Sequence, residues 1–333
     1  MNGAEQKRVL GQSGIKVSPL GLGCMGLTHA SGDPLPQEEA ARVIREAYEM
    51  RYTFFDTAEC YIGTDAIGKT VYNEDAVGRA LHPIRDKVVI ATKFGVQHNS
   101  DKTLCMDSRP ETIRTSIEGS LKRLGCDYID LYYQHRIDPA VEPEEVAQVM
   151  ADLIKEGKIR AWGISEANEE YLRRANAVCP VAAVQNRYSM LARWHESLFP
   201  VLEELNIALV AFSPMANGFL TGAYSPQTSF EGDQDYRDGM PQYTKEGYEK
   251  DRAVLDLIRT FAQEKNATPA QISLAWMLRK KPWIIPIPGS RKPKRLHENF
   301  AAAAVQLSSE EVKQIDTALD GMDLAVFGGH VAK

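Results

Sequence analysis

Three apolar runs in this chain end on a charged or titratable side chain: "FFD" on Asp56, "VVIATK" on Lys93 and "IDLYYQH" on His135. A tyrosine, Tyr61, follows Asp56 five positions later in "FFDTAECYIG". Each has an ordinary explanation when taken singly. Asp56 and Lys93 could be a structural ion pair, His135 a satisfied hydrogen-bonder, and Tyr61 a packing residue. Together they make a proton-transfer set. A free tyrosine, pKa about 10, is a poor acid at neutral pH. A lysine cation beside it favours the phenolate and lowers that pKa, while a carboxylate keeps the lysine charged and in place. A buried ion pair is weak as a stability device, because desolvation offsets its Coulombic gain. The joint, chemical explanation is therefore the stronger. Cys60 has no neighbour in the sequence that marks it as a thiolate.

Such a set needs elements that end side by side. Short runs with strand character fall at 20–24, 52–56, 87–93, 128–135, 159–165, 181–186, 207–213 and 283–288. Most are continuous apolar runs, the pattern of parallel strands covered on both faces. Segments of helical period lie between them at 36–50, 109–124, 143–157, 196–205 and 251–265. This alternation predicts a single domain over 1–333 built as a (β/α)8 barrel, where chemistry sits at the C-terminal strand ends. Ser165, Gln185 with Asn186, and Phe212 with Ser213 end the later strands. A long connection at 216–250 follows strand 7, and such loops are usually lids or binding loops. An extra helix at 268–281 opens with Thr268 as its cap and Pro269 at its first position.

Composition narrows the partners. A formal net charge of −6 argues against nucleic-acid or anionic-membrane binding. No targeting segment and no membrane-spanning run is legible. Five scattered cysteines without C-x-x-C spacing disfavour disulfides and zinc and point to the cytoplasm. "GLGCMG" (21–26) fits the dinucleotide fingerprint G-x-G-x-x-G, but its glycines run into loop rather than into a helix. Close backbone approach at a strand end explains them better.

The motifs "FFDTAECY", "VVIATKFG", "IDLYYQHRID", "GISEAN", "VQNRYS", "VAFSPMANGFLTG" and "IIPIPGSRKPKRLHEN" resemble, in order, those of the aldo-keto reductase superfamily. The resemblance runs from about residue 8 to about residue 320. It implies a (β/α)8 TIM barrel with an N-terminal β-hairpin, and an NADPH-dependent oxidoreductase of the alcohol dehydrogenase or carbonyl reductase type. Asp56, Tyr61, Lys93 and His135 would then be catalytic, with Tyr61 the general acid and His135 orienting the substrate oxygen. Ser165 and Gln185 would hold the nicotinamide carboxamide and Phe212 would stack on its ring. Ser213, Pro214, Gly218, Leu220, Gly289 and Ser290 would complete the cofactor cradle. Arg291 and Arg295 would take the 2′-phosphate of NADP, and Glu298 and Asn299 the adenine. Glu166 stands where many relatives carry Asn, so its part is open. Met25, Ile62, Phe94, Trp194, Tyr224 and Tyr236, with Phe327 from the tail, are candidates for the pocket of a small aldehyde or ketone. No metal is expected, since no second histidine stands beside His135. A homo-oligomer stays open. The rival reading is a non-catalytic NADP(H)-binding regulatory subunit of the same fold, which would have no need of the acid.

Overall fold

Alternate residues along a strand face opposite sides, and in this chain both sides are apolar. The computed structural model describes residues 6–99, 103–230, 235–237 and 239–328. Parts of the expected 216–250 loop and of the tail lie outside them. Eight parallel strands pair in chain order: β1 (Leu22–Gly23), β2 (Phe54–Asp56), β3 (Val89–Phe94), β4 (Ile129–Gln134), β5 (Ile159–Ser165), β6 (Ala183–Arg187), β7 (Ala208–Phe212) and β8 (Ile284–Pro286). Two backbone bonds join the first strand to the last, Gly21 N–H to Pro286 O at 3.0 Å and Gly23 N–H to Pro288 O at 3.4 Å. The sheet is thereby closed into the expected barrel.

That closure explains Gly23 of "GLGCMG". A Cβ at Gly23 would fall 2.7 Å from the Ile287 carbonyl oxygen, and one at Gly289 would fall 2.6 Å from the Gly23 carbonyl oxygen. Only glycine lets the two strands approach so closely. After Gly23 comes a 3-10 turn, Met25–Leu27, and the next helix begins only at Gln37.

Helices α1 (Gln37–Glu49), α2 (Asn73–Leu81), α3 (Pro110–Leu124), α4 (Pro143–Lys155), α5 (Glu169–Val178), α6 (Phe199–Glu204), α7 (Lys245–Glu264), α8 (Pro269–Lys280), α9 (Pro293–Ala301) and α10 (Ser309–Asp320) surround the strands. α8 opens on the expected cap, with Thr268 and Gln271 forming a reciprocal capping box. α7 begins six residues before the predicted 251, because the Thr244 side chain accepts from the Gly247 N–H and starts the helix there. The long connection is shorter by that much. The N-terminal hairpin pairs Arg8–Val9 with Lys16–Val17. Two further hairpins, Ile62–Thr64 with Thr70–Tyr72 and Val96–His98 with Leu104–Met106, were not foreseen.

Two apolar layers result. Phe54, Val89, Ala91, Leu131, Tyr133, Ala161, Ala183, Ala208, Val210, Ile285 and Ile287 fill the barrel, and Leu10 and Val17 of the hairpin join them. Their neighbours of opposite parity, such as Phe55, Ile90, Tyr132, Trp162 and Val184, pack outward with the helices.

Candidate active site

Continuing each inward row by two residues gives the site. Phe54 leads to Asp56; Val89 and Ala91 lead to Lys93; Leu131 and Tyr133 lead to His135. Ala161 leads past Gly163 to Ser165, and Ala183 leads to Gln185 and then Arg187. The same parity sends Phe94 outward. It is fully buried in the helix layer, 5.0 Å from the Tyr132 ring, so the expectation that it lines a pocket is corrected.

Lys93 is the hub. Its Nζ donates to Asp56 Oδ1 at 2.5 Å, to the Thr57 carbonyl oxygen at 2.7 Å and to the Tyr61 hydroxyl at 3.4 Å. Gln185 Nε2 donates to the other Asp56 oxygen at 2.7 Å. Burial opposes the charge on Lys93, but Asp56 and then Tyr61 more than offset this and hold the ammonium above its ordinary range. Burial pushes the Asp56 carboxyl up, against the pull of Lys93 and of the bond from Gln185. Tyr61 departs from expectation. Burial outweighs the lysine, and the phenol is pushed up to about 12 rather than lowered. Lys93 limits that rise, and Tyr61 is a protonated phenol at neutral pH.

The loop bearing Tyr61 is tied down at several points. Thr57 N–H donates to Ala91 O at 2.9 Å and Glu59 N–H to Lys93 O at 3.2 Å. Buried Asn73 donates its own N–H to Tyr61 O at 3.0 Å, accepts from Thr57 Oγ1 at 2.6 Å and reaches Cys24 O at 2.9 Å. His135 presents its ring to Tyr61 edge-on at 5.8 Å, and His29 stacks on the same Tyr61 ring, also at 5.8 Å. Cys60 Sγ lies 3.4 Å from His135 Nδ1. Asn73, His29 and Cys60 carry no sequence signal of these roles, since each contact crosses between separate loops.

The expected cofactor residues are differently engaged. Gln185 spends its amide on Asp56. Ser165 Oγ donates to Gln185 O at 2.9 Å and accepts from Arg136 at 3.0 Å. Glu166 has φ +58 and its carboxylate accepts from the Arg187 N–H at 3.0 Å, which turns it toward β6. Phe212 is half-buried, with the Arg187 guanidinium 5.0 Å from its ring centre and 5.2 Å from that of Phe327. Parity along β6 was the signal for Arg187. After β7, Ser213, Ala216, Asn217 and Gly218 all have positive φ, curling the backbone sharply beside buried Pro214. Leu220 packs in the core, and its N–H and that of Gly218 are bonded to Met215 O.

Before α9, Ser290 Oγ accepts from the Lys292 N–H at 3.1 Å. Arg291 donates to Gly26 O at 2.5 Å and Asp33 O at 2.7 Å, clamping the loop after β1 instead of facing outward. Arg295 pairs with Glu298 at 2.6 Å, and Asn299 is buried. Of the pocket candidates, Met25 and Tyr224 are half-buried, and Ile62 and Tyr236 are exposed beside the mouth loops. The Tyr224 ring meets Tyr243 edge-on at 5.8 Å, and the Tyr236 hydroxyl meets Asn217. Trp194 is exposed at the start of the turn Trp194–Leu198, beside His195, with no ring contact to the Tyr61 cluster among the described residues. No cluster of three or more metal-ligating side chains occurs among the described residues, and none of their helices is long and apolar enough to cross a membrane.

Comparison with known proteins identifies the family. A model of the Aldo/keto reductase family matches residues 19–320. The chain is 39% identical over 318 residues to probable aldo-keto reductase 1 of Glycine max, covering 95% of this chain and 89% of that protein. It is 38% identical over 316 residues to the Schizosaccharomyces pombe aldo-keto reductase yakc, whose name specifies NADP(+), covering 92% and 90%. Among solved structures, a glycerol dehydrogenase from Gluconobacter oxydans superposes with a TM-score of 0.82 at 27% identity over 100% of both chains. With a closed barrel whose strand ends converge on Lys93 and a family match spanning nearly all of its length, the chain belongs to the aldo/keto reductase family.

Proposed function

We propose that this protein reduces aldehydes or ketones to alcohols with NADPH, using Tyr61 as the general acid. The observation that carries this is the buried Lys93 Nζ, 2.5 Å from Asp56 and 3.4 Å from the Tyr61 hydroxyl. A reduced nicotinamide supplies the hydride when bound. Everything else falls to the chain. His135 orients the carbonyl oxygen and Tyr61 delivers a proton to the alkoxide as it forms. Lys93 stabilises the phenolate left behind, and Asp56 with Gln185 keeps Lys93 in position.

The residues at the mouth suit the cofactor. Phe212 offers an aromatic face, and the start of α9, which no side chain caps, offers exposed Lys292 at its cap and Arg295 in its first turn. These are groups for the 2′-phosphate of NADP, while Arg291 holds the loop after β1. The yakc relative, by its name, is an NADP(+) enzyme, which supports the same preference.

The test is NADPH oxidation at 340 nm across a panel of small aldehydes and ketones, with NADH in parallel. Turnover is expected with a lower KM for NADPH. In Tyr61→Phe, kcat should fall by roughly 10²–10⁴-fold with cofactor affinity kept. Near-normal turnover in that variant would overturn the assignment of the acid. Tight NADPH binding with flat traces throughout would favour the regulatory subunit.

A further inference from the structure

We propose that Cys60 is a positioning residue that selects the tautomer of His135: its thiol donates to Nδ1 and so keeps the imidazole proton on Nε2. The inference rests on the role given to His135 above. Cys60 Sγ and His135 Nδ1 are 3.4 Å apart and both side chains are buried. The thiol is held in a small apolar pocket by Ala58 and Val96, with Tyr61 packed against it.

The chemistry follows from the inventory of donors. A neutral imidazole has one N–H and one lone pair, and which nitrogen holds the proton is set by the bond that the other makes. A donor at Nδ1 requires the lone pair there, which places the proton on Nε2. That proton is the one His135 needs if it is to donate to a carbonyl oxygen. Burial, opposed chiefly by Lys93, pushes the Cys60 thiol up to about 12, so an S–H is present at neutral pH. The thiol is also uncharged. A carboxylate in its place would draw a second proton onto the ring and would compete with Asp56 for Lys93.

The experiment uses the full chain labelled with 15N-histidine, where long-range 1H–15N correlation reports which nitrogen carries the proton. A His135→Gln variant assigns its signal among the seven histidines. Wild type and Cys60→Ser, which keeps a donor, should both show the proton on Nε2. Cys60→Ala should populate the Nδ1–H form and lower kcat about three- to tenfold, with KM for NADPH unchanged. Cys60→Val, which fills the pocket without a donor, should behave like Cys60→Ala and separates the lost donor from a packing defect. An unchanged tautomer in Cys60→Ala and Cys60→Val, or a changed tautomer with wild-type kcat, overturns the proposal. Undiminished turnover in His135→Gln would instead overturn the role of His135 on which it rests.

Discussion

Because burial pushes the Tyr61 phenol up to about 12, its proton is fully present across the neutral range and is lost only as pH rises through that value. With Tyr61 in its proposed role as general acid, carbonyl reduction needs the phenol, so its kcat should be flat from neutrality to above pH 10. Alcohol oxidation needs the phenolate as base, so its kcat should climb over the same interval. Measuring both directions with saturating cofactor checks the sign. A reduction profile that breaks near pH 8 would show that Lys93 overcomes burial, as the sequence-based argument expected. The difference is physical. A sequence shows that a lysine stands near a tyrosine, but it does not show how dry the hydroxyl is.

The tail after α10 is an element with its own pH response. Ala325 N–H donates to Asp251 Oδ1 of α7 at 2.7 Å, and Phe327 N–H donates to Gln242 Oε1 at 3.1 Å. Lys250 pairs with Asp323 at 2.7 Å, and Arg187 is stacked between the rings of Phe327 and Phe212. Asp251 is buried, its second oxygen has no partner, and burial raises its carboxyl to about 6. A carboxyl raised on folding contributes stability that is full below its unfolded pKa, about 4, and is lost as pH rises through 6. Relative to Asp251→Asn, which keeps the acceptor for Ala325, the wild type should lose on the order of 1–3 kcal/mol between pH 4 and pH 7. Denaturant unfolding of both proteins at the two pH values measures this. Parallel pH dependence would show that Asp251 is not the titrating group.

For the whole molecule, closure of the barrel depends on two glycines from opposite ends of the chain. Gly23→Ala would drive a Cβ to 2.7 Å from the Ile287 carbonyl oxygen, which is backbone and cannot swing aside. A loss of about 1–3 kcal/mol is expected, read as a lower midpoint in urea. Gly14→Ala is the control for a glycine with open space around it, although its φ of +71 carries a smaller cost of its own. Equal losses in the two variants would separate closure from the close approach of β1 to β8.

Most of this architecture was legible in residue order. Apolar runs without polar alternation specified buried parallel strands, and the terminal Asp56, Lys93 and His135 marked their working ends. Parity along those runs, once the inward side is known, also separates Lys93 from Phe94 and points to Arg187. What the chain order could not specify were contacts between loops that lie far apart in sequence. Asn73 holding the Tyr61 loop, Cys60 against His135, and Arg291 turned onto the loop after β1 all arise where separate connections meet above the barrel. The sequence by itself determined the barrel and the residue types at its mouth, because periodicity and strand ends are local properties. Only the tertiary structure decided that Tyr61 stays a phenol, that Arg291 is spent on the loop after β1 and that Arg295 pairs with Glu298. Desolvation and hydrogen-bond partnership depend on what the rest of the chain brings alongside.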